Sequence, residues 1–232
     1  MRVITMHKQL GEARLEFYGC PLNCRYCAHR IRQKRDITCE QALKFLSEYE
    51  TKKVYFGGAE PAMFKKDLTE LIKVLNRRGK EITLKTTGVD PGFIKDTIGF
   101  VHRYIIEIKG PLDDVETTFR LCNVSKEKVE EYLQNLRTSL EYLKGQRVRV
   151  MIRIIPGIID AGKIERIGGQ IQGVADEAHI IQFLGSTNDI PFEGIDRPAP
   201  PLDEMDALGR ILKKYVPVVI VQGDGYDSTL RS

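Results

Sequence analysis

Residues 19–30, GCPLNCRYCAHR, place Cys20, Cys24 and Cys27 within eight residues. This run directly follows residues 13–18, whose alternating, β-rich pattern predicts a strand. Three thiolates on a short loop can each bind one iron of a 4Fe-4S cube, which normally takes four cysteines. With three, one iron keeps an open coordination position, and open positions distinguish catalytic metal centres from structural ones. The run therefore predicts a catalytic iron–sulfur centre at the end of a strand.

The same cysteines permit a second interpretation, in which they bind structural zinc. His29 lies two residues after Cys27, so the three cysteines and this histidine could form a Cys3His knuckle. Structural zinc usually stabilises small domains that lack a core, whereas this chain has ample apolar sequence. The remaining cysteines, Cys39 and Cys122, are poor candidates for a fourth ligand, and we expect both to be small buried hydrophobic residues.

The composition is that of a globular protein: 232 residues, 42% hydrophobic and 29% charged, with a formal net charge of +4. This charge is too mild to argue for nucleic acid, which is not expected as a partner. The first ten residues lack the apolar run of a signal peptide, and no apolar stretch approaches membrane-spanning length. We therefore expect a cytoplasmic protein without membrane contact, where clustered cysteines favour metal binding over disulfides.

Short strand-like runs alternate with longer helical patterns along the chain, which is typical of βαβ units and a parallel sheet. The predicted strands are residues 13–18, 52–58, 81–88, 103–110, 146–157 and 178–185, followed by 216–223. About six units without a linker predict an α/β fold. We expect a partial (β/α)6 TIM-like barrel that forms a single domain over residues 1–232, with an extra C-terminal strand. In such barrels the loops after the strands hold the active site.

Helical patterns fill the segments between these strands. Thr38 and Gln41 form a capping box before a helix over residues 40–49. Apolar residues at helical spacing predict further helices around residues 68–75, 129–143 and 202–215, and a weaker helix follows the strand that ends at 157.

The spacing Cys20-x3-Cys24-x2-Cys27, with the aromatic Tyr26 before the last cysteine, resembles the signature of radical S-adenosylmethionine (SAM) enzymes. In that family the amino and carboxylate groups of SAM chelate the open iron. An electron from the cluster then breaks the sulfonium C–S bond and gives a 5′-deoxyadenosyl radical. The resemblance implies a 4Fe-4S cluster on the three cysteines, SAM as the second cofactor, and Tyr26 in the cofactor site.

Residues 56–63, FGGAEPAM, resemble the Gly-Gly-Glu-Pro motif of the same family, whose backbone and acid bind the SAM amino group. The resemblance assigns Gly57, Gly58 and Glu60 to this role, although Ala59 stands at a glycine position. Glycines let a main chain approach a ligand closely, and a carboxylate suits an ammonium group. A Gly-rich turn with a solvated glutamate is the alternative for this segment taken alone.

Three more strand ends carry residues that the resemblance assigns to the SAM carboxylate or ribose. Thr86 and Thr87 end the strand LKTTG, where an ordinary strand-end cap is the alternative. Glu107-x-Lys109 is similar to the Asp-x-Lys of glycyl-radical activating enzymes, with Lys109 the firmer assignment. Arg153, in IRIIPGIIDAG, is similar to the arginine of a segment of pyruvate formate-lyase activating enzymes, with one residue fewer before the proline.

These motifs cover most of the chain and imply a compact, single-cluster radical SAM enzyme similar to the activases of glycyl-radical enzymes. Such an activase abstracts hydrogen from a glycine of a glycyl-radical protein. The chain departs from that group before the cysteines, where HKQLGEARLEFYG lacks the usual Asp-Gly-Pro-Gly. This departure weakens the assignment of a protein substrate but not the assignment of the chemistry. A small molecule, a nucleoside or a peptide is therefore an alternative target, and a zinc-stapled RNA-binding module is the alternative of another class.

A basic run follows the cysteines directly: His29, Arg30, Arg32, Lys34 and Arg35. A solvated surface loop is the plain interpretation of such a run. The functional interpretation is a docking patch for an acidic, low-potential electron donor, a flavodoxin or ferredoxin, or for an anionic substrate.

Overall fold

The computed structural model describes residues 1–9, 11–48, 51–184, 189–193, 195 and 198–231. The strands are β1 (Arg2–Gln9), β2 (Glu12–Phe17), β3 (Arg35–Asp36), β4 (Lys53–Gly58), β5 (Glu81–Thr86), β6 (Arg103–Ile108), β7 (Val148–Ile154), β8 (Glu177–Gln182), β9 (Val218–Gly223) and β10 (Tyr226–Arg231). The α-helices are α1 (Cys39–Glu48), α2 (Lys65–Arg77), α3 (Pro91–Thr97), α4 (Val115–Leu121), α5 (Lys126–Tyr142), α6 (Ala161–Ile171) and α7 (Leu202–Leu212).

All ten strands belong to one sheet in the order β10-β9-β8-β7-β6-β5-β4-β2-β1-β3. Strand β2 and strands β4 to β9 run parallel to their neighbours, while β1, β3 and β10 add antiparallel edges. The sheet is not closed, so the predicted partial barrel is confirmed. The extra C-terminal strand is β9, which continues the parallel series.

The parallel strands alternate between an apolar face under the helices and a polar face towards the lumen of the barrel. In β7, Val148, Val150, Ile152 and Ile154 are buried, whereas Arg149 and the other alternate residues are partly exposed. A cavity of about 970 Å³ is lined by side chains from β2 and from β4 through to β9, so the sheet curves around it. The barrel interior is therefore a ligand-sized space and not a packed aliphatic core.

The helices cover the outer face, and their sequence signals match their positions. Thr38 N–H donates to Gln41 Oε1 at 2.9 Å and Gln41 N–H donates to Thr38 Oγ1 at 3.1 Å, which confirms the capping box of α1. In α2 the predicted apolar face is buried: Leu68, Leu71, Ile72 and Leu75. Two predicted termini, Tyr49 of the first helix and Gly185 of the sixth strand, lie outside the described residues.

Five of the strands and α-helices were not predicted from the sequence: β1, β3, β10, α3 and α4. Strand β1 pairs with β2 as a hairpin, and only its buried Val3 gives a core signal. Strand β10 lies at the other edge with a half-exposed, mostly polar sequence. Helix α4 is seven residues long, too short for periodicity, and its N-cap Asp114 accepts from Thr117 N–H at 2.8 Å. Edges and short helices bury little and so leave weak patterns.

None of the helices within the described part of the chain has the length and apolar character needed to cross a bilayer.

Candidate active site

The cysteine loop begins directly after β2, at the carboxyl end of the parallel strands. Cys20, Cys24 and Cys27 all line one end of the lumen cavity; Cys24 is buried and the other two are partly exposed. Within the described residues, no three His, Cys, Asp or Glu side chains converge as ligands of a single ion. The loop thus presents its thiols to a common space, as a cube with one iron for each cysteine requires.

Backbone hydrogen bonds from two other loops fix the cysteine loop. Arg25 N–H donates to Leu121 O, at the end of α4, at 2.9 Å, and Ile190 N–H donates to Tyr26 O at 2.7 Å. Cys27 also forms a β-bridge with Asp189. The loop is therefore held from both sides, by the segment after β6 and by the segment after β8.

The two remaining cysteines have different environments. Cys122 is fully buried, as predicted, and its Sγ lies 3.7 Å from Cys24 Sγ. A hydrogen bond with Cys122 lowers the pKa of Cys24 to about 7, against the opposing effect of burial. Cys39 is exposed at the start of α1, so the prediction of a buried residue is wrong there. A cysteine at the first position of a helix on the protein surface has no core to enter.

The two glycines of the second motif end β4, and the structure gives each a packing reason. Gly58 has φ +86°, and a Cβ built on it would lie 2.7 Å from Phe17 N. A Cβ on Gly57 would overlap the Tyr55 ring. Pairing with β5 ends at Phe56, while pairing with β2 continues to Gly58. The backbone on the β5 side of these glycines therefore lies outside the ladder, and Gly58 lines the cavity.

Glu60 fills the gap between β4 and β5 as a fully buried carboxylate. Oε1 accepts from Ala62 N–H at 3.0 Å and from the Thr86 hydroxyl at 2.7 Å. Oε2 accepts from Thr87 N–H at 2.8 Å and from the Thr87 hydroxyl at 2.7 Å. All of its usual acceptor positions are thus occupied, and the hydroxyls of both threonines are directed at Glu60. The sequence pattern indicated these residues, but not that they bind one another.

The Glu60 motif is also joined to the start of the cysteine loop. Ala59 N–H donates to Phe17 O and Glu60 N–H donates to Gly19 O, both at 2.9 Å. Backbone hydrogen bonds therefore join the start of the cysteine loop to the segment that contains Gly58 and Glu60.

Glu107 is the centre of an ion-pair network under the cysteine loop. Its carboxylate lies 2.6 Å from Lys85 Nζ and 2.6 Å from Lys109 Nζ, and Lys109 Nζ lies 5.5 Å from the centre of the Tyr26 ring. Burial alone would raise the pKa of Glu107, but the two lysines hold it well below its usual range. Burial likewise opposes the charge of Lys109, yet Glu107 raises the pKa of this lysine well above its ordinary value. Both groups therefore stay charged.

Arg153, at the end of β7, also faces the cavity. Its guanidinium lies 3.3 Å from the nearly buried Asp189 carboxylate, the same residue that bridges to Cys27. Of the predicted site residues, the three cysteines, Tyr26, Gly58, Thr87, Lys109 and Arg153 line the cavity, whereas Gly57, Glu60 and Thr86 do not.

The sequence profile of the radical SAM superfamily matches residues 17–162, more than half of the chain. The chain belongs to the radical SAM superfamily. It is therefore a radical SAM enzyme, a family whose members use SAM and an iron–sulfur cluster, and not a zinc-stapled binding module.

Individual relatives agree with this membership. A protein of Methanocaldococcus jannaschii, provisionally named a glycyl-radical enzyme activating enzyme, is 24% identical over 212 residues, covering 88% of this chain and 86% of the relative. Archaeal TYW1 has a similar fold, with a TM-score of 0.63, 14% identity, and coverage of 95% of this chain and 78% of that chain. Methylornithine synthase gives a TM-score of 0.61 at 15% identity, over 90% and 63% of the two chains.

The basic run of this radical SAM protein occupies the rim beside Cys27. Lys34 and Arg35 are exposed, Arg32 is partly buried and lines the cavity, and Lys34 Nζ lies 4.3 Å from the centre of the Tyr18 ring. Arg30 has a structural function, because its guanidinium donates to Cys24 O at 3.3 Å. Ile31, with 76% of its surface exposed, stands among these cations.

Burial separates His29 from the rest of the run. The side chain lines the cavity, and burial, aided by Lys85, lowers the pKa of His29 to about 4. It is therefore neutral at neutral pH and adds no charge to the rim.

Sequence reasoning missed the residues deeper in the lumen. Glu177 of β8 pairs with Arg149 of β7 at 2.6 Å and with Arg103 of β6 at 3.5 Å. His179 lies between them and the mouth, and burial beside Arg149 lowers the pKa of His179 to about 4. Charged residues at alternate positions of otherwise apolar strands were the available signal, since such residues must face a polar lumen.

Proposed function

We propose that this chain binds a 4Fe-4S cluster through Cys20, Cys24 and Cys27, and SAM at the remaining iron. The observation that carries the proposal is that these three cysteines open into the same cavity as Gly58, Thr87 and Lys109. When bound, the cluster and SAM supply reductive cleavage to a 5′-deoxyadenosyl radical, which abstracts hydrogen from a substrate. The chain itself supplies binding, orientation and exclusion of water.

The SAM amino group would lie against the backbone of Gly57 and Gly58, where the β5 side of the ladder ends. The bonds that Glu60 makes to Thr86 and Thr87 support a positioning role for this carboxylate, because a direct contact with the amino group would have to break one of them. Glu60 would then fix the ends of β4 and β5 relative to each other.

Lys109, Thr87 and Arg153 are the residues that we propose for the SAM carboxylate and ribose, with Tyr26 packed beside Lys109. Lys109 is a permanent cation at the cluster end of the lumen, since Glu107 stabilises its charge. A fixed cation suits a carboxylate, and its charge also favours thiolates on the neighbouring cysteines.

The proposed target is a glycine on a partner glycyl-radical protein. Support comes from the M. jannaschii relative, whose provisional name is that of an activating enzyme, and from an unclosed sheet, which can admit a peptide loop. The proposed electron donor is a flavodoxin or ferredoxin that docks on the basic rim beside Cys27. The lumen cavity favours a second candidate, a radical SAM enzyme that acts on a small molecule.

Anaerobic reconstitution with iron and sulfide, followed by reduction with dithionite and addition of SAM, tests the proposal. We expect 5′-deoxyadenosine from the native protein, and neither cluster absorbance nor product from Cys24→Ala. Cys39→Ala is the matched control, because Cys39 is exposed and outside the cavity; it should retain both. A Cys24→Ala variant that is still brown and active would refute the cluster assignment.

A further inference from the structure

The lumen cavity as a whole, counted from the basic rim to its floor, has an excess of positive charge. Arginines and lysines outnumber acids by eight to three among the residues that line it, and two further acids, Glu177 and Asp189, pair with lining arginines from outside the lining. Two ion-pair groups in the lumen also contain more cations than carboxylates. In the first, the Glu107 carboxylate pairs with both Lys85 and Lys109. In the second, the Glu177 carboxylate pairs with both Arg103 and Arg149. Each group therefore holds two cations for one carboxylate, which leaves capacity for a further anion.

Buried polar atoms without hydrogen-bond partners lie on three strands of the same lumen. Within the described residues, Nε of Arg14, Nε of Arg153 and both ring nitrogens of His179 are buried and have no hydrogen-bond partner. All three residues line the cavity, and His179 is only 9% exposed. Buried polar groups in native proteins are normally paired. The two arginine Nε–H groups and the N–H of the neutral His179 ring lack an acceptor, and the other ring nitrogen of His179 lacks a donor.

Buried carboxylate oxygens without a hydrogen-bond partner, by contrast, are scarce in the same region. Among the described residues, the buried carboxylate oxygen without a partner is Oδ1 of Asp189, whose other oxygen already binds Arg153. Glu12 is paired with Arg14, and Glu16 is the further acid on the lining. A ligand that supplies oxygens and negative charge fits this wall better than one that supplies donors.

We propose that the lumen binds its substrate through an anionic group, a carboxylate or phosphate, on the wall formed by Arg149 and His179. This inference rests on the proposed function, which places SAM at the mouth and the substrate below it. The anionic group can come from either of two sources: a free small anion, or an acidic side chain next to the target glycine.

Calorimetric titration of the full cluster-free chain tests the inference and separates the sources. The probes are inorganic phosphate, succinate, and two glycine-centred peptides, one flanked by aspartates and one by lysines. We expect at least one anionic probe to bind and the lysine peptide not to bind. Arg149→Gln and His179→Gln should each weaken binding about tenfold or more, because charged hydrogen bonds are the strong ones. Arg149→Lys should retain part of the affinity.

Arg166→Gln is the matched control. Arg166 also has two acidic partners, Asp113 and Asp114, but it lies on α6 outside the lumen, and we expect its variant to bind as the native chain does. Circular dichroism of each variant confirms folding.

Affinities weaker than about 10 mM for all anionic probes would overturn the inference. So would equal losses in Arg166→Gln and Arg149→Gln. Because these titrations need neither cluster nor SAM, a chain that binds anions but makes no 5′-deoxyadenosine contradicts the proposed function alone. A chain that cleaves SAM but binds no anion contradicts this inference alone.

Discussion

At the scale of single residues, Glu60 shows how one buried carboxylate joins two strand ends. Four donors from three residues, Ala62, Thr86 and Thr87, converge on it. Taking a carboxylate out of water is costly unless each of its oxygens is bonded, and here each is. The alternative interpretation of the sequence, a Gly-rich turn with a solvated glutamate, is therefore wrong for Glu60, since its side chain has no exposed surface.

Glu60→Gln should lower the free energy of unfolding by about 2 kcal/mol, because an amide N–H2 would face the Thr87 N–H donor and leave it unpaired. Urea denaturation of the cluster-free chain measures the change. Glu70→Gln is the control, since Glu70 is an exposed acid paired with Lys73, and its loss should cost no more than a few tenths of a kcal/mol. Equal effects of the two variants would contradict the network.

His179 gives a pH prediction whose sign follows from burial. Its pKa is about 4 in the folded chain and about 6.5 in the unfolded one, so from pH 6.5 down to pH 4 the unfolded state binds more protons. Stability due to this residue is present above pH 6.5 and is lost as pH falls towards 4. Between pH 7 and pH 5 the loss should be about 2 kcal/mol.

Urea titrations of the native chain and His179→Gln at pH 7 and pH 5 check this prediction. The variant should lose less stability on acidification than the native chain. Identical losses would show that His179 is already protonated, or not buried, in the folded chain.

At the scale of elements, the end of β4 combines a left-handed backbone conformation with close packing. Gly58 has a positive φ, and it also has no space for a Cβ beside Phe17. Gly79 has a similar φ of +73°, but a Cβ built on it would meet no described atom within 4 Å. Alanine variants at these two glycines therefore separate the free-energy cost of the positive φ from the free-energy cost of the steric contact.

Gly58→Ala should destabilise the cluster-free chain by more than Gly79→Ala, which should cost about 1 kcal/mol. The additional loss at Gly58 should exceed about 1 kcal/mol, because the methyl group meets backbone and not a flexible side chain. Gly58→Ala should also lose SAM binding in equilibrium dialysis after reconstitution. Equal stability losses in the two variants would contradict the close approach of β2 and β4.

The elements also show what the sequence could predict and what it could not. Periodicity located the strands β2 and β4 to β9, because each has an apolar face under the helices. The cysteine spacing located the loop after β2. It could not reveal that Leu121 and Ile190 hold this loop, nor that Cys122 lies beside Cys24, 98 positions away. Contacts between distant segments arise from the topology of the sheet and leave no local pattern.

At the scale of the whole molecule, the open barrel has two ends with different chemistry. The mouth carries the cysteine loop, the glycine turn and a basic rim with the exposed Ile31. The lumen below carries paired charges and unpaired donors. The fold class follows from alternating strands and helices, whereas the charged lumen becomes visible when the curvature of the sheet is known. On the proposed function, the electron donor would be recognised at the mouth and the substrate in the lumen.

Joint replacement of Arg32, Lys34 and Arg35 by glutamine should slow reduction of the reconstituted cluster by flavodoxin about tenfold at low salt. The effect should shrink above about 0.2 M salt, because screening weakens exposed charges. Stopped-flow absorbance follows the reduction. Dithionite, which needs no docking, is the control and should reduce both proteins equally. Unchanged flavodoxin kinetics would reject the basic rim as the docking surface.

Electron paramagnetic resonance of the anaerobically reconstituted, dithionite-reduced protein, recorded before and after addition of SAM, tests the open iron most directly. We expect about four iron and four sulfide per chain and a cluster signal that changes shape when SAM binds. A signal that SAM leaves unchanged, or a metal centre saturated by four side chains, would contradict three-cysteine ligation.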